Sequence, residues 1–238
     1  MTRPSRSSLY RRHRFPPDVI ARAVWLYFKF PLSLRMFDDL LAERGIIVSH
    51  QTIRIWSEKF GRQFAADIHR RSAGQFDEKW HLDEVVITMC GKKHWLWRAV
   101  DQDGFVLDVL VQSRRNATAA KRLMRKLLKR QGSVPRVMIT DKLRSYGAAK
   151  REIMPSVEHR SHKGLNNRAE NSHQPTRRRE RVMKRFKSPR QLQRFASIHD
   201  PIYNLFYLPR HEMTSTDFRE MRSLAMQTWH EIAQVSAA

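Results

Sequence analysis

The sequence predicts an α/β protein in which a helical N-terminal region precedes a mixed five-stranded sheet flanked by helices. Two observations predict this organisation. Apolar residues recur at helical spacing up to about residue 61, whereas apolar runs of strand length begin near Trp80 and are separated by turn signals. The later elements follow the order β-β-β-α-β-α-β-α, which indicates three antiparallel strands, then strand–helix alternation, with helices on both faces of the sheet.

Three helices are predicted in the N-terminal region, after a basic arm that runs to about Arg14. Pro31 ends the first helix, Ser33 is placed to cap the second, and Gly45 is a natural stop for it. Ser49 then caps a third helix with the sequence HQTIRIWSEKFG.

The second and third helices form either a helix-turn-helix or an ordinary helical hairpin. On the third helix Ile53, Trp56 and Phe60 make an inward stripe, which leaves Gln51 and Arg54 outside. In a helix-turn-helix, outward residues of the last helix face the major groove of DNA. The positive charge of the chain favours this interpretation.

Three consecutive strands are predicted to open the second part, namely WHLDEVVITM, KHWLWRAVD and FVLDVLVQS. The amphipathic helix ATAAKRLMRKLLKRQG and the short buried strand PRVMITD follow, then a helix near 146–152 and a strand near 157–159. Helical sequence broken by prolines continues to about residue 208. We therefore predict a helix-turn-helix region with its basic arm at 1–69, a linker at 70–79, a core at 80–210 and a helical tail at 211–238.

The composition points to a polyanionic partner. There are 46 Lys and Arg against 23 Asp and Glu, which gives a net charge of +23, and nucleic acid is a better match than a membrane surface. The basic N-terminus is followed by an apolar run that Arg22 and Lys29 interrupt, so we expect no export signal. Cys90 is the single cysteine, which excludes an internal disulfide and fits a reducing cytoplasm.

Carboxylates on apolar elements are informative because acidic residues are scarce in this chain. Asp83 lies inside the first strand, Asp141 closes the fourth, and Glu170 begins a later helix. Each has an ordinary alternative: a solvent-facing strand residue, a turn or cap aspartate, and a first-turn glutamate. If the two strands are neighbours, the aspartates meet, and divalent cations would relieve the repulsion among three carboxylates. Oxygen ligands suit Mg²⁺ or Mn²⁺, and two such ions about 4 Å apart support phosphoryl transfer.

The motifs resemble those of single-chain DDE transposases of short bacterial insertion sequences, in the group that forms cointegrates by replicative transposition. The resemblance rests on WHLDE, RAVD, SRRN, TDK, VEHR and NNRAE, and it covers roughly residues 15–210. It implies an RNase H-like core whose catalytic and metal-ligating residues are Asp83, Asp141 and Glu170, with two Mg²⁺ or Mn²⁺ ions. A basic residue two helical turns after the glutamate is also implied, and Arg177 occupies that place.

Glu180 is the rival third ligand, because only 28 residues separate Asp141 from Glu170 where many DDE enzymes have more. Asn166 and Asn167 precede Glu170 as the family motif requires, which favours Glu170. Pro175 predicts a kink or a short first segment in the helix that follows.

A run of ten Lys or Arg against two Glu extends from residue 168 to 194, and it is either a solvated helix face or a phosphate-binding surface. We favour the second. His159, His162 and His173 lack the tight spacing of a zinc site. The predicted DNA-binding residues are Gln51, Thr52, Arg54, Lys142, Arg177, Arg178, Arg179, Arg181, Lys184 and Arg185.

The resemblance implies a DNA transposase that binds the terminal inverted repeats of its element, nicks the 3′ ends and transfers them into target DNA. It further implies a homodimer or a larger synaptic assembly in the bacterial cytoplasm, associated with the nucleoid. Two alternatives remain: a helix-turn-helix regulator without catalysis, and an RNase H-like nuclease without strand transfer.

Overall fold

The computed structural model describes residues 8–72, 78–208 and 213–235. Its chain divides into two compact units: one combines the residues up to Arg70 with those from Pro201 onward, and the other is Arg71–Asp200. In the described segments, no helix is both long enough and apolar enough to cross a membrane.

The helices are α1 (Pro17–Lys29), α2 (Leu34–Ala42), α3 (His50–Ser72), α4 (Ala117–Gln131), α5 (Arg144–Ile153), α6 (Asn167–Ser172), α7 (Gln174–Val182), α8 (Pro189–Leu205) and α9 (Ser215–Ala233). The strands are β1 (Lys79–Met89), β2 (Lys92–Val100), β3 (Val106–Gln112), β4 (Val137–Thr140) and β5 (Glu158–Ser161).

The ends of α2 and α3 follow the predicted capping residues. The Ser33 hydroxyl accepts a hydrogen bond from the Met36 amide, and the Ser49 hydroxyl accepts one from the Thr52 amide at 3.3 Å. Gly45 has a φ of 71° in the connection, a conformation that glycine adopts without strain. The predicted inward stripe of α3 is buried, whereas Gln51 and Arg54 are exposed.

Helix α3 is longer than the sequence predicted. We expected it to end near Gly61, but Phe64, Ala65 and Ile68 continue the buried stripe for two further turns. Apolar spacing therefore carries the helix through a glycine, at a cost of about 1 kcal/mol relative to alanine. Residues 70–72, placed in the predicted linker, are helical, and residues 73–77 lie outside the described part of the chain.

The C-terminal helix α9 packs into the first unit. The Tyr10 hydroxyl donates a 2.6 Å hydrogen bond to the Ala233 carbonyl, and the Trp229 ring lies 5.1 Å from the Phe64 ring, edge to face. Trp229 is 1% exposed. The predicted tail thus completes the core of the helical unit.

The second unit is built on a mixed sheet with the strand order β3-β2-β1-β4-β5. β1 pairs antiparallel with β2 and parallel with β4, so that it lies at the centre of the sheet. A two-residue turn joins β1 to β2, and both Cys90 and Gly91 have positive φ, as a tight hairpin requires. One face of the sheet packs Leu82 and Trp97 against α4 and α5, and α6 contacts β1 and β2. This confirms the predicted mixed five-stranded sheet, with the RNase H-like fold that the family resemblance implies.

Candidate active site

The strand register places Asp83 beside Asp141. The parallel pairing of β1 with β4 ends at Leu82 and Thr140, and the residue that follows each of them is an aspartate. Carboxylate oxygens of Asp83, Glu84 and Asp141 all lie within 4.8 Å of one another. Such a cluster of hard oxygen donors suits a divalent cation.

The electrostatics of Asp83 reflect this crowding. Burial, and secondly the neighbouring Asp141 carboxylate, raise the pKa of Asp83 to about 6. A carboxylate in this state gains from a nearby cation, since positive charge favours its ionised form. The residues present therefore fit a divalent ion.

Glu84 points to the opposite face of β1 and is held there by two donors. The Tyr146 hydroxyl donates a 2.6 Å hydrogen bond to one Glu84 oxygen, and the Arg115 Nε donates at 2.6 Å to the other. Burial raises the pKa of Glu84 to about 7, although both donors oppose the shift. Glu84 therefore anchors Arg115 at the edge of the carboxylate cluster.

Asp141 serves both a turn and the cluster. Its Oδ1 accepts a 3.0 Å hydrogen bond from the Leu143 amide, which is the turn role that its sequence position suggested. Its Oδ2 lies 3.4 Å from an Arg115 nitrogen. The turn fixes the carboxylate beside β1, so the two interpretations of this residue are compatible.

Glu170 lies outside the carboxylate cluster but shares a cavity with Asp83. The cavity has a volume of about 460 Å³ and is lined by Asp83, Val85, Glu170, His173, Gln174, Arg177, Arg178 and Arg181. The buried Asn166 side chain donates a 2.9 Å hydrogen bond to the Leu82 carbonyl, which fixes the start of α6 next to Asp83. Glu180 does not line this cavity; its carboxylate lies 3.2 Å from Arg177 on the same helix. The cavity therefore includes Glu170 and not its rival, and Glu170 as third ligand stays a prediction.

A buried ionic network holds α6, α7 and α8 against this face of the sheet. Arg98 pairs with Asp83 across β1 and β2, so both side chains lie on the same face. Its guanidinium donates to Asp200 at 2.9 Å, to the Thr176 hydroxyl at 2.8 Å and to the Ser172 carbonyl. The break between α6 and α7 is fixed on both sides by one arginine, and Pro175 lies in the first turn of α7, as predicted for a short first segment.

His173 occupies that break, 4% exposed, with Nε2 3.2 Å from an Asp83 oxygen. Burial, and secondly Arg98, lower the pKa of His173 well below its usual value. The ring is therefore neutral at pH 7, and its contact with Asp83 is not an ion pair.

The predicted DNA-binding residues separate into exposed and buried ones. Arg178, Arg181, Lys184, Arg185 and Lys142 are exposed, and Arg177 is half-buried with one nitrogen 2.7 Å from the Val86 carbonyl.

Arg179 is a correction to the predicted set. It is 1% exposed, and its guanidinium lies over the Phe195 ring at 5.5 Å from the ring centroid. It contributes to the core and not to the basic surface.

In the first unit, the Thr52 hydroxyl lies 3.1 Å from that of Ser49, and Arg54 lies 3.7 Å from Glu58.

Four residues of the site were not predicted: Glu84, Arg115, Tyr146 and His173. Glu84 adjoins Asp83, and Arg115 lies in the SRRN motif, so both were visible in the sequence without an assigned role. Tyr146 and His173 reach the site through the packing of α5 and of the α6–α7 break, which no local pattern encodes.

Comparison with known proteins identifies the family of this chain. Residues 77–207 match the family model of the DDE domain. The transposase for the insertion sequence-like element IS431mec of Staphylococcus aureus is 31% identical over 169 residues, which cover 69% of this chain and 75% of the relative. The transposase for the insertion sequence element IS257 in transposon Tn4003 of Staphylococcus aureus is 30% identical, with the same coverage.

Similar solved structures are more distant. The Mos1 transposase catalytic domain aligns with 76% of this chain and 96% of its own, at 13% identity and a TM-score of 0.40. A chain of the simian T-cell lymphotropic virus intasome in complex with PP2A regulatory subunit B56 gamma aligns with 55% of this chain at 12% identity and a TM-score of 0.39, and the match spans 51% of that chain. The family match and the relatives decide the assignment: the chain belongs to the DDE family of insertion-sequence transposases, and it is an enzyme of the polynucleotidyl transferase class.

Proposed function

We propose that this transposase binds the terminal inverted repeats of its insertion sequence, nicks the 3′ ends in a metal-dependent reaction and joins them to target DNA. The observation that carries the proposal is the cavity beside Asp83, which combines carboxylates with Arg177, Arg178 and Arg181. Carboxylates alone repel a phosphodiester, and arginines alone only bind it. Together they supply a cation site and a phosphate site in the same cavity.

Asp83, Asp141 and Glu170 are the proposed metal ligands. When bound, two Mg²⁺ or Mn²⁺ ions would lower the pKa of a water or hydroxyl group and neutralise charge on the phosphodiester. The chain's own contribution is positioning. The β1–β4 register sets the spacing of Asp83 and Asp141, and the Asn166 hydrogen bond to Leu82 brings α6 to the same edge.

The exposed basic residues would hold the DNA strand on either side of the reacting phosphate. Lys142 directly follows Asp141, and Arg178 and Arg181 face the cavity from α7. Lys184 and Arg185 both have positive φ after the end of α7. Strained backbone of this kind persists where the surrounding structure over-determines it, and it is frequent at functional sites.

Recognition of the element ends is assigned to the helical unit. Gln51, Thr52 and Arg54 lie in the first turns of α3, the part of a recognition helix that contacts base edges. The basic arm would add phosphate contacts, which raise affinity without reading sequence. Because two element ends must be handled together, the active species is proposed to be a homodimer or a larger synaptic assembly.

The test is a joining assay with end-containing DNA, a target plasmid and Mg²⁺. The wild-type protein is expected to give nicked ends and joined product, and Asp83→Asn neither. Asp103→Asn, an exposed aspartate in the turn between β2 and β3, is the matched control and should retain both activities.

Three other outcomes would contradict the proposal in different ways. Cleavage without joined product would favour the alternative that the protein is a nuclease. Binding to the element ends with neither reaction would favour the alternative that it is a DNA-binding regulator. Joining by Asp83→Asn at the wild-type rate would remove Asp83 from the reaction.

A further inference from the structure

His173 is a buried imidazole that lacks a hydrogen bond. Within the described residues, neither ring nitrogen has a hydrogen-bond partner, although the side chain is 5% exposed. Its Nε2 lies 3.2 Å from the Asp83 Oδ2, but the contact does not have hydrogen-bond geometry. Leaving a buried polar group without a partner is unfavourable, so native proteins rarely keep one without a bound ion or water to pair with it.

The orientation of His173 is fixed by the backbone around it. Arg98 donates to the Ser172 carbonyl on one side and to the Thr176 hydroxyl on the other. Pro175 lies in the first turn of α7 and limits the backbone further. The imidazole is therefore held towards the cavity that Asp83 and Glu170 also line.

The carboxylate of Asp83 has different neighbours on its two sides. Asp141 and Glu84 offer oxygen atoms within 4.8 Å of it. His173 approaches Asp83 at 3.2 Å but does not join that group of mutually close ligand atoms. Asp83 therefore lies between an all-oxygen side and a side that contains a nitrogen donor.

We propose that His173 is a nitrogen ligand of a divalent ion held by Asp83 and Glu170, so that the ion on this side of Asp83 has a mixed nitrogen and oxygen donor set. The proposal rests on the proposed function, since it assigns a ligand to a metal used in that reaction. Glu170 is exposed, and its side chain can rotate to complete the set. Imidazole favours transition-metal ions over Mg²⁺, so this side selects Mn²⁺, whereas the Asp141 side accepts either ion.

The decisive measurement is pulsed electron paramagnetic resonance on the full chain loaded with Mn²⁺. The wild-type spectrum is expected to show ¹⁴N modulation from a directly coordinated imidazole. His173→Gln should lose this modulation while still binding Mn²⁺ through Asp83 and Asp141. His94→Gln, a half-buried histidine bonded to the Lys92 carbonyl in the hairpin, is the control and should keep it.

A second readout is the selectivity between the two ions. We expect His173→Gln to lower the preference for Mn²⁺ over Mg²⁺ by about tenfold in calorimetric titrations, because losing a ligand should matter at least as much as losing a hydrogen-bond partner of a ligand, and only oxygen ligands remain. An unchanged ratio would contradict the proposal.

If His173→Gln does not fold, the wild-type spectrum and the spectra of two other variants still test whether His173 is the ligand. Modulation that persists in both His81→Gln and His94→Gln supports His173, and its loss in either one contradicts the proposal. Bound Mn²⁺ without ¹⁴N modulation in the wild type also contradicts it, and metal-dependent joining would then leave the proposed function intact. Absence of both ion binding and joining would overturn the proposed function as well.

Discussion

An arginine side chain lies near each face of β1, and the two side chains differ in burial and in the groups that they contact. On the face of Asp83, Arg98 is 1% exposed and donates to groups on three helices. On the face of Glu84, the Arg115 side chain is 43% exposed and reaches from the loop before α4 to Glu84 and Asp141. A fully buried, multiply bonded charge fixes structure, whereas a half-exposed one can exchange partners. The first arginine builds the site, and the second is available to respond to what binds there.

The largest effect is expected from breaking the buried network. Arg98→Met leaves Asp200 without its charge partner, and loss of one member of a buried pair costs about 3–5 kcal/mol. Denaturant unfolding followed by tryptophan fluorescence measures the loss. Arg122→Met, on the exposed side of α4, is the control and should change stability by less than about 0.5 kcal/mol. A similar loss of unfolding free energy in both variants would show that the Arg98 network contributes no more to stability than an exposed arginine does.

The second effect is a pH dependence that Glu84 contributes. Its pKa is raised to about 7 in the folded protein from 4.5, so the folded state binds more protons between these values. Stability from this group is therefore fully present below about pH 4.5 and is lost as pH rises through about 7. One proton contributes at most about 1.4 kcal/mol per pH unit.

The measurement is the difference in unfolding free energy between the metal-free wild type and Glu84→Gln at several pH values. Because histidines titrate in the same window, only this difference isolates Glu84. The wild type should lose stability relative to the variant from pH 5 to 7. A difference that is independent of pH would mean that Glu84 is ionised throughout.

The third effect concerns Tyr146, one of the two residues that donate a hydrogen bond to Glu84. Tyr146→Phe removes a hydroxyl that is fully buried and 2.6 Å from a Glu84 oxygen, which should cost about 1–3 kcal/mol. The variant should also raise the pKa of Glu84 further, since this hydrogen bond favours the ionised carboxylate. Unchanged stability at pH 8 would indicate that water replaces the hydroxyl.

Much of the sheet could be predicted from the sequence, because strands and turns have local signals. The proximity of Asp83 to Asp141 was predicted on the condition that β1 and β4 are neighbours, and the observed register, which ends at Leu82 and Thr140, meets that condition. The burial of Arg179 could not be predicted, because it lies within a basic run and only the packing of Phe195 distinguishes it from the exposed arginines. Tyr146 was missed for the same reason, and His173 was considered only as part of a loose histidine cluster, since contacts across the fold decide what they touch.

The smallest effect on stability is expected for Arg115, together with a change in metal binding. In Arg115→Gln the Glu84 carboxyl keeps the Tyr146 hydroxyl and can take up a proton, so the variant should lose less stability than Arg98→Met.

The Arg115 guanidinium lies 3.4 Å from the Asp141 Oδ2 and repels a divalent ion that approaches this carboxylate. For charges of one and two about 5 Å apart in a water-like dielectric, the repulsion is about 1.7 kcal/mol, which is more than tenfold in affinity. We expect Mn²⁺ to bind Arg115→Gln about tenfold more tightly than the wild type in calorimetric titrations. Arg114→Gln removes the same charge one residue away, where the side chain is exposed, and should leave the affinity almost unchanged. Weaker binding by Arg115→Gln would reverse the conclusion: Arg115 would then position Asp141 for the ion, and both Arg98 and Arg115 would be fixed parts of the site.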